Sequence, residues 1–327
     1  MKKYFIKWIG MILACAGVIG IILAVRFLTS DGENKTEYGE EVLAQTASLT
    51  PYFHVIVPEK YGGETQIEEN LMDKTVQIEF TEITEFLFSA IGIEENDSRI
   101  IRTEQNYEGN CGTLILQMDD MYACEGSQEA SVLSLEFEPV RDKYDSIIVI
   151  DPGHGGEADT GTIAYGYKEK DLALALAEAV KEQIEAQFPD SYVCLTRIDD
   201  TPLSEHEREQ FANQLEADLY LSIHMNADSS SRATEGVSTY YNRMSSAKEK
   251  KLAQTVQKSM EKAIGSSRET DVQKDAEIFT KDFSIPSLVI EAGYLTNKQE
   301  ALKLGTAEYR ERLAVGIADG IRESKYE

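Results

Sequence analysis

Two of the four histidines in this 327-residue chain stand where a predicted β-strand gives way to a loop. His154 follows Ile147-Ile148-Val149-Ile150 within Asp151-Pro152-Gly153-His154-Gly155-Gly156, and His224 ends Leu219-Tyr220-Leu221-Ser222-Ile223. Glu291 closes a third apolar run, Ser287-Leu288-Val289-Ile290, and Glu169 lies at the mouth of the helix that follows the His154 loop. A catalytic Zn2+ takes three protein ligands and keeps a fourth position for water, whose pKa it lowers toward ~7. Two imidazoles and one carboxylate make such a set, and a second carboxylate is then available to take the water's proton. Singly, each histidine has a bland reading as a turn cap or a satisfied core residue. Jointly they point to metal chemistry, and Glu291 adds weight because a carboxylate ending an apolar strand is costly to bury without a partner or a cation. The other two histidines, His54 and His206, read as surface groups.

These residues need a scaffold that brings strand ends together. From Ser146 onward, strand candidates at Ser146 to Ile150, Tyr192 to Thr196, Leu219 to His224, Val237 to Tyr241 and Ser287 to Glu291 alternate with helical stretches. The helices are Lys170 to Gln187, Leu203 to Leu215, Ala247 to Ile264 and Tyr309 to Glu323, the first with Leu172, Leu176, Val180 and Ile184 on one face. The pattern predicts an α/β domain over 144–327 with a largely parallel, or mixed, sheet flanked by helices on both faces. In open sheets of this kind, sites form beyond the carboxyl ends of the strands. No G-x-S-x-G follows any predicted strand, which removes the serine-hydrolase rival.

The preceding half is different in texture. Net charge is −26 overall, and residues 30–140 carry 24 carboxylates against five cations. That balance excludes a general nucleic-acid binder, which needs clustered cations. Short apolar or alternating runs at Phe53 to Val57, Thr75 to Phe80, Gly112 to Gln117 and Ser131 to Phe137 predict a small β-rich domain over 51–143. Residues 29–50 are polar and acidic and read as a linker. Residues 1–28 contain an 18-residue uncharged stretch, Trp8 to Val25, preceded by Lys2, Lys3 and Lys7. At 1.5 Å per residue it spans ~27 Å, near the thickness of a bilayer's hydrocarbon core. It is expected to be a single-pass transmembrane helix with the remainder extracytoplasmic. A cleaved signal giving a secreted form, and a lipoprotein signal at Cys15, are the competing readings. No C-x-x-C pair is present, so a cysteine zinc site is unsupported. Cys111 and Cys124 flank a predicted hairpin around Leu114-Ile115-Leu116, where outside the cytoplasm they either form a disulfide or remain free thiols.

The segments IVIDPGHGG, YKEKDLALALA, LYLSIHMNAD and PSLVIEAGYLTN, in this order, resemble the zinc-dependent N-acetylmuramoyl-L-alanine amidases of bacterial cell-wall turnover, sporulation and cell separation. The stretch LTRIDDTPLSEHEREQFANQLEADLY is similar to the family's too, and the likeness covers about residues 145–325. It implies that His154, Glu169 and His224 hold Zn2+, that Glu291 is the catalytic carboxylate and that peptidoglycan is the substrate. Asn226 is expected to contact that substrate. Met225 stands where a small residue usually follows the histidine, which bears on stem-peptide preference. The resemblance also brings in the variable wall-binding, AMIN-like modules that precede such domains, and an activator protein as a partner, since some relatives are blocked until one binds. The readings kept beside it are a zinc wall peptidase or deacetylase, and a membrane-tethered wall-binding scaffold whose catalytic domain no longer works.

Overall fold

The computed structural model describes residues 3–5 (backbone only), 52–93, 97–242, 247–266, 272–275 and 285–325, and these form two compact units, Met1–Pro139 and Val140–Glu327. The expected membrane span and linker lie outside the described residues. Among the described residues, no helix is long and apolar enough to cross a membrane.

The first unit contains two antiparallel sheets. Its elements are β1 (Lys3–Phe5), β2 (Phe53–Ile56), β3 (Thr65–Asn70), β4 (Thr75–Phe80), a one-turn helix α1 (Glu85–Phe88), β5 (Gly92–Ile93), β6 (Ile100–Glu108), β7 (Cys111–Met118), β8 (Tyr122–Glu129) and β9 (Val132–Pro139). One sheet runs β1-β3-β4-β7-β6 and the other β5-β2-β9-β8. Strict alternation of buried and half-buried residues along β3, β4 and β7 gives one sheet a single apolar face. That face packs Ile67, Val76, Ile78, Leu114 and Leu116 into one core with Phe53, Val55, Leu133 and Leu135 of the other sheet. Each such side chain contributes roughly 1.5–3 kcal/mol on burial.

One open alternative for this unit is resolved and one expectation is corrected. Of the two alternatives left for Cys111 and Cys124, no disulfide joins them: Cys111 opens β7 in one sheet while Cys124 lies in β8 of the other, and these two strands do not pair. His54 is 4% exposed rather than at the surface, and its Nδ1 meets the Ser134 hydroxyl at 3.1 Å across the β2–β9 pair.

The second unit opens with α2 (Val140–Lys143) and β10 (Ser146–Pro152), then a small hairpin of β11 (Ile163–Ala164) and β12 (Tyr167–Lys168) leading into α3 (Glu169–Gln187). There follow β13 (Ser191–Leu195), α4 (Glu205–Gln214), β14 (Leu219–Asn226), β15 (Ser238–Asn242), α5 (Ala247–Ile264), β16 (Gln273–Asp275), β17 (Ser287–Tyr294), α6 (Lys298–Leu304) and α7 (Ala307–Lys325). The sheet order is β13-β10-β14-β17-β15-β16. β13, β10, β14 and β17 are mutually parallel, and only the β15–β17 pair is antiparallel, so the sheet is mixed. Ile148, Ile150, Leu221, Ile223 and Ile290 share one core with Leu172, Leu176, Val180 and Ile184 of α3, Val256 and Met260 of α5, and Leu313 and Ile317 of α7. Helix α4 serves the opposite face: a capping box between Ser204 and Glu207 starts it, and one turn in, Arg208 reaches the buried Asp151, whose side chain alternates away from Ile148 and Ile150.

Candidate metal centre

The parallel register brings the chemistry-bearing strand ends side by side. His224 of β14 is the direct Cα partner of Glu291 in β17, and the end of β10 pairs Pro152 with Ile223, so His154 emerges from the neighbouring loop. The two imidazoles approach edge to face, with ring centroids 5.0 Å apart. Glu169 is the first residue of α3 and points back at both.

Glu169 is the hub. Its Oε1 lies 3.1 Å from His154 Nε2 and 3.2 Å from His224 Nδ1, and accepts the Met225 N–H at 3.0 Å. Its Oε2 accepts the Thr162 N–H at 2.8 Å. Lys168, the N-cap of α3, gives no side-chain cap, and the acid beside it serves the site rather than the helix's own free amides. Burial at 4% exposure pushes the Glu169 carboxyl upward, yet hydrogen bonds from His154, His224 and the two main-chain amides outweigh it and hold the group well below the usual carboxylate range. His154 is raised to about 8, first by the hydrogen bond to Glu169, against burial, with Asp159 adding to it.

The donor set fits a small divalent cation. One ligand atom from each of His154, Glu169 and His224 lies within 4.8 Å of the others, and the two His–Glu separations are close to the ~3.3 Å between ligands in a tetrahedral zinc site with ~2.0–2.1 Å bonds. Asp159 Oδ1 meets His154 Nδ1 at 2.6 Å and so turns Nε2 into the cluster, as a carboxylate behind a metal-bound histidine does. Two glycines leave the room. A Cβ on Gly153 would strike the His224 ring, and one on Gly161 would sit 2.6 Å from His154 Cδ2 and 2.7 Å from Glu169 Oε2.

Gly161 also has φ +61°, a backbone conformation that costs an L-residue roughly 1–2 kcal/mol. Gly161→Ala is therefore expected to lower stability by at least that much and to weaken metal binding. Thermal melts and zinc titration of the same preparation check this, and unchanged zinc affinity would show that the crowding is relieved elsewhere.

Glu291 completes the group from the side of β17. Burial pushes its carboxyl up to about 7, with Glu169 adding and the two imidazoles opposing. Its Oε2 is buried and, among the described residues, has no hydrogen-bond partner. A desolvated carboxylate facing a cation-ready cluster can accept and return protons near neutral pH. Asn226, the expected substrate contact, ends β14 with Oδ1 turned onto the Ala227 N–H at 2.8 Å. His206 is exposed on α4.

Some residues escaped sequence reasoning. Asp151 is 3% exposed; burial pushes it up, but Arg208, Thr196 and Tyr220 hold its carboxyl below the ordinary value. Arg208 donates to the carbonyls of Pro152 and His154, and Arg197 to those of Pro152 and Gly153. Arg197 follows β13, so the same inspection of strand ends that singled out His154 and His224 would have reached it.

The family model described as N-acetylmuramoyl-L-alanine amidase (Amidase_3) matches residues 148–323. The germination-specific N-acetylmuramoyl-L-alanine amidase of Bacillus subtilis (strain 168) is 30% identical over 189 residues, 54% of this chain and 78% of that protein. N-acetylmuramoyl-L-alanine amidase LytC of the same organism is 37% identical over 174 residues, 53% of this chain but only 34% of its own length. Among solved structures, an N-acetylmuramoyl-L-alanine amidase from Clostridium difficile 630 aligns with a TM-score of 0.53 at 32% identity, covering 56% of this chain and 97% of that one. AmiC2 of Nostoc punctiforme, another such amidase, aligns at 0.51 and 28% identity, covering 56% and 98%. All of these likenesses cover little more than half of the chain.

Proposed function

The chain belongs to the N-acetylmuramoyl-L-alanine amidase family, and from that premise we propose that it hydrolyses peptidoglycan at the amide between the lactyl carboxyl of N-acetylmuramic acid and the L-alanine of the stem peptide. The observation that carries the reading is the buried Glu291 Oε2, without a hydrogen-bond partner among the described residues, in register beside His224 and next to the His154–Glu169–His224 cluster. In this reading His154, Glu169 and His224 hold Zn2+, which when bound acidifies water and stabilises negative charge developing on the amide oxygen. Glu291 takes the proton of the attacking water and returns it to the departing alanine nitrogen, which an unactivated amide requires. Asp159 keeps His154 Nε2 directed inward, and the Thr162 and Met225 amides keep Glu169 ionised and oriented. The unit Met1–Pro139 serves as an accessory wall-binding module. Its acidity means that recognition there rests on shape and hydrogen bonding rather than charge.

The same reading puts catalysis outside the cytoplasm, with residues 8–25 in the membrane. Insertion of that span and the antiparallel pairing of Lys3–Phe5 with β3 exclude one another, so the anchored protein releases this three-residue edge strand.

Incubation of purified peptidoglycan with the full chain, followed by mass spectrometry of the products, tests the activity. Free stem peptides beginning with L-alanine and peptide-free glycan are expected. A chelator should abolish both, and added Zn2+ should restore them. Products cut within the peptide or lacking only acetyl groups would replace the amidase by another zinc wall hydrolase, and no products from zinc-loaded protein would leave a binding scaffold.

A further inference from the structure

We propose that Arg197 is a positioning residue for the metal site, setting the spacing of His154 and Glu169 through the main chain; the inference rests on the reading of His154, Glu169 and His224 as ligands. Arg197 is 4% exposed, and its guanidinium donates to four backbone carbonyls. Nε reaches Pro152 O at 3.0 Å and Nη1 reaches Asp199 O at 2.8 Å. Nη2 reaches two carbonyls at once, Gly153 O at 2.8 Å and Lys170 O at 2.9 Å. Gly153 immediately precedes His154, and Lys170 immediately follows Glu169. A single nitrogen thus ties the loop that carries one ligand to the first turn of the helix that carries another.

Three features separate this from generic core support. First, among the described residues every hydrogen bond of the Arg197 guanidinium goes to a main-chain carbonyl, while the nearby Asp151 carboxylate bonds to Arg208, Thr196 and Ser222. A buried cation without a hydrogen-bonded carboxylate is a costly way to stabilise a fold. Second, Arg208 clamps the other side of the same ligand, donating from Nη2 to His154 O at 2.8 Å. The two arginines together hold the peptide groups on both sides of His154, whose φ of +60° is uncommon outside glycine. Third, the fork matters: four carbonyls in different directions suit the rigid, planar five-donor guanidinium and not a single ammonium nitrogen.

The test is zinc affinity of the full chain, measured with Zn2+ alone in competition with a chromogenic chelator, for the wild type and Arg197→Lys, alongside thermal melts of the metal-free proteins. Groups that orient metal ligands typically change affinity by about 10–100-fold when altered, and that loss is expected for Arg197→Lys while the variant remains folded. A lower melting temperature with unchanged zinc affinity would overturn the proposal and assign Arg197 to stability alone. Arg197→Gln, which keeps two N–H donors without the charge, is the second variant, and failure of both to fold would likewise overturn it. Absence of stoichiometric zinc in the wild type would instead remove the ligand reading on which the inference rests.

Discussion

Glu291→Gln is expected to lower kcat on peptidoglycan by about 10²–10⁴-fold while zinc content stays at the wild-type level. That loss corresponds to roughly 2.7–5.4 kcal/mol of transition-state stabilisation. The substitution keeps size and shape while removing the negative charge and with it the capacity to take and return a proton. Because the folded-state pKa is raised to about 7, the carboxylate form needed by a general base is depleted as pH falls through that value, so wild-type activity should decline on the acidic side. A bound cation favours the ionised form, which puts the midpoint of that limb at or below about 7. The residual activity of Glu291→Gln should lack the limb. Near-normal turnover, or an unchanged acidic limb in the variant, would remove Glu291 from the role.

Glu169→Ala should have the other large effect, on metal binding itself. The carboxylate touches both imidazoles, and its removal leaves the Thr162 and Met225 amides without their acceptor. Each stranded amide costs about 1–3 kcal/mol where water cannot reach it. Zinc should be lost and the melting temperature of the metal-free protein should fall. Glu169→Gln separates the two losses, since its amide oxygen can still accept from one of the main-chain N–H groups while the anionic ligand is gone. Elemental analysis of both variants after dialysis checks the assignment, and full zinc occupancy in either would show that Glu169 is not a ligand.

Much of the second unit was legible because its signals are local. Ile147 to Ile150 and Leu219 to Ile223 are apolar runs too short for buried helices, and Leu172, Leu176, Val180 and Ile184 recur at helical spacing, so period and length alone identify a central sheet with a covering helix. All four helix residues are at most 5% exposed. The first unit was harder. Strands β3, β6 and β8 are rich in Glu, Gln, Asn and Ser and have no apolar run; β3 shows its alternation only once its partner strands define which face is inside. Whether Cys111 and Cys124 pair stayed open for a related reason: proximity in sequence allowed a hairpin, whereas the chain crosses from one sheet to the other between them. His54 was misread because burial depends on neighbours from β9 that lie eighty residues away.

By itself the sequence determined which residue types could do chemistry and that they stand at strand ends, since the strand period, the Gly-rich turn after Asp151 and the position of Glu169 at a helix mouth are properties of consecutive residues. Only the tertiary structure decided how those ends meet. The register that sets His224 beside Glu291, the turning of Glu169 toward two imidazoles, the withdrawal of solvent that raises Glu291 and the clamping of the His154 loop by Arg197 and Arg208 all arise between segments far apart in the chain. Hydrogen bonding and desolvation act over a few ångströms of space, and no count of residues along the chain measures that distance.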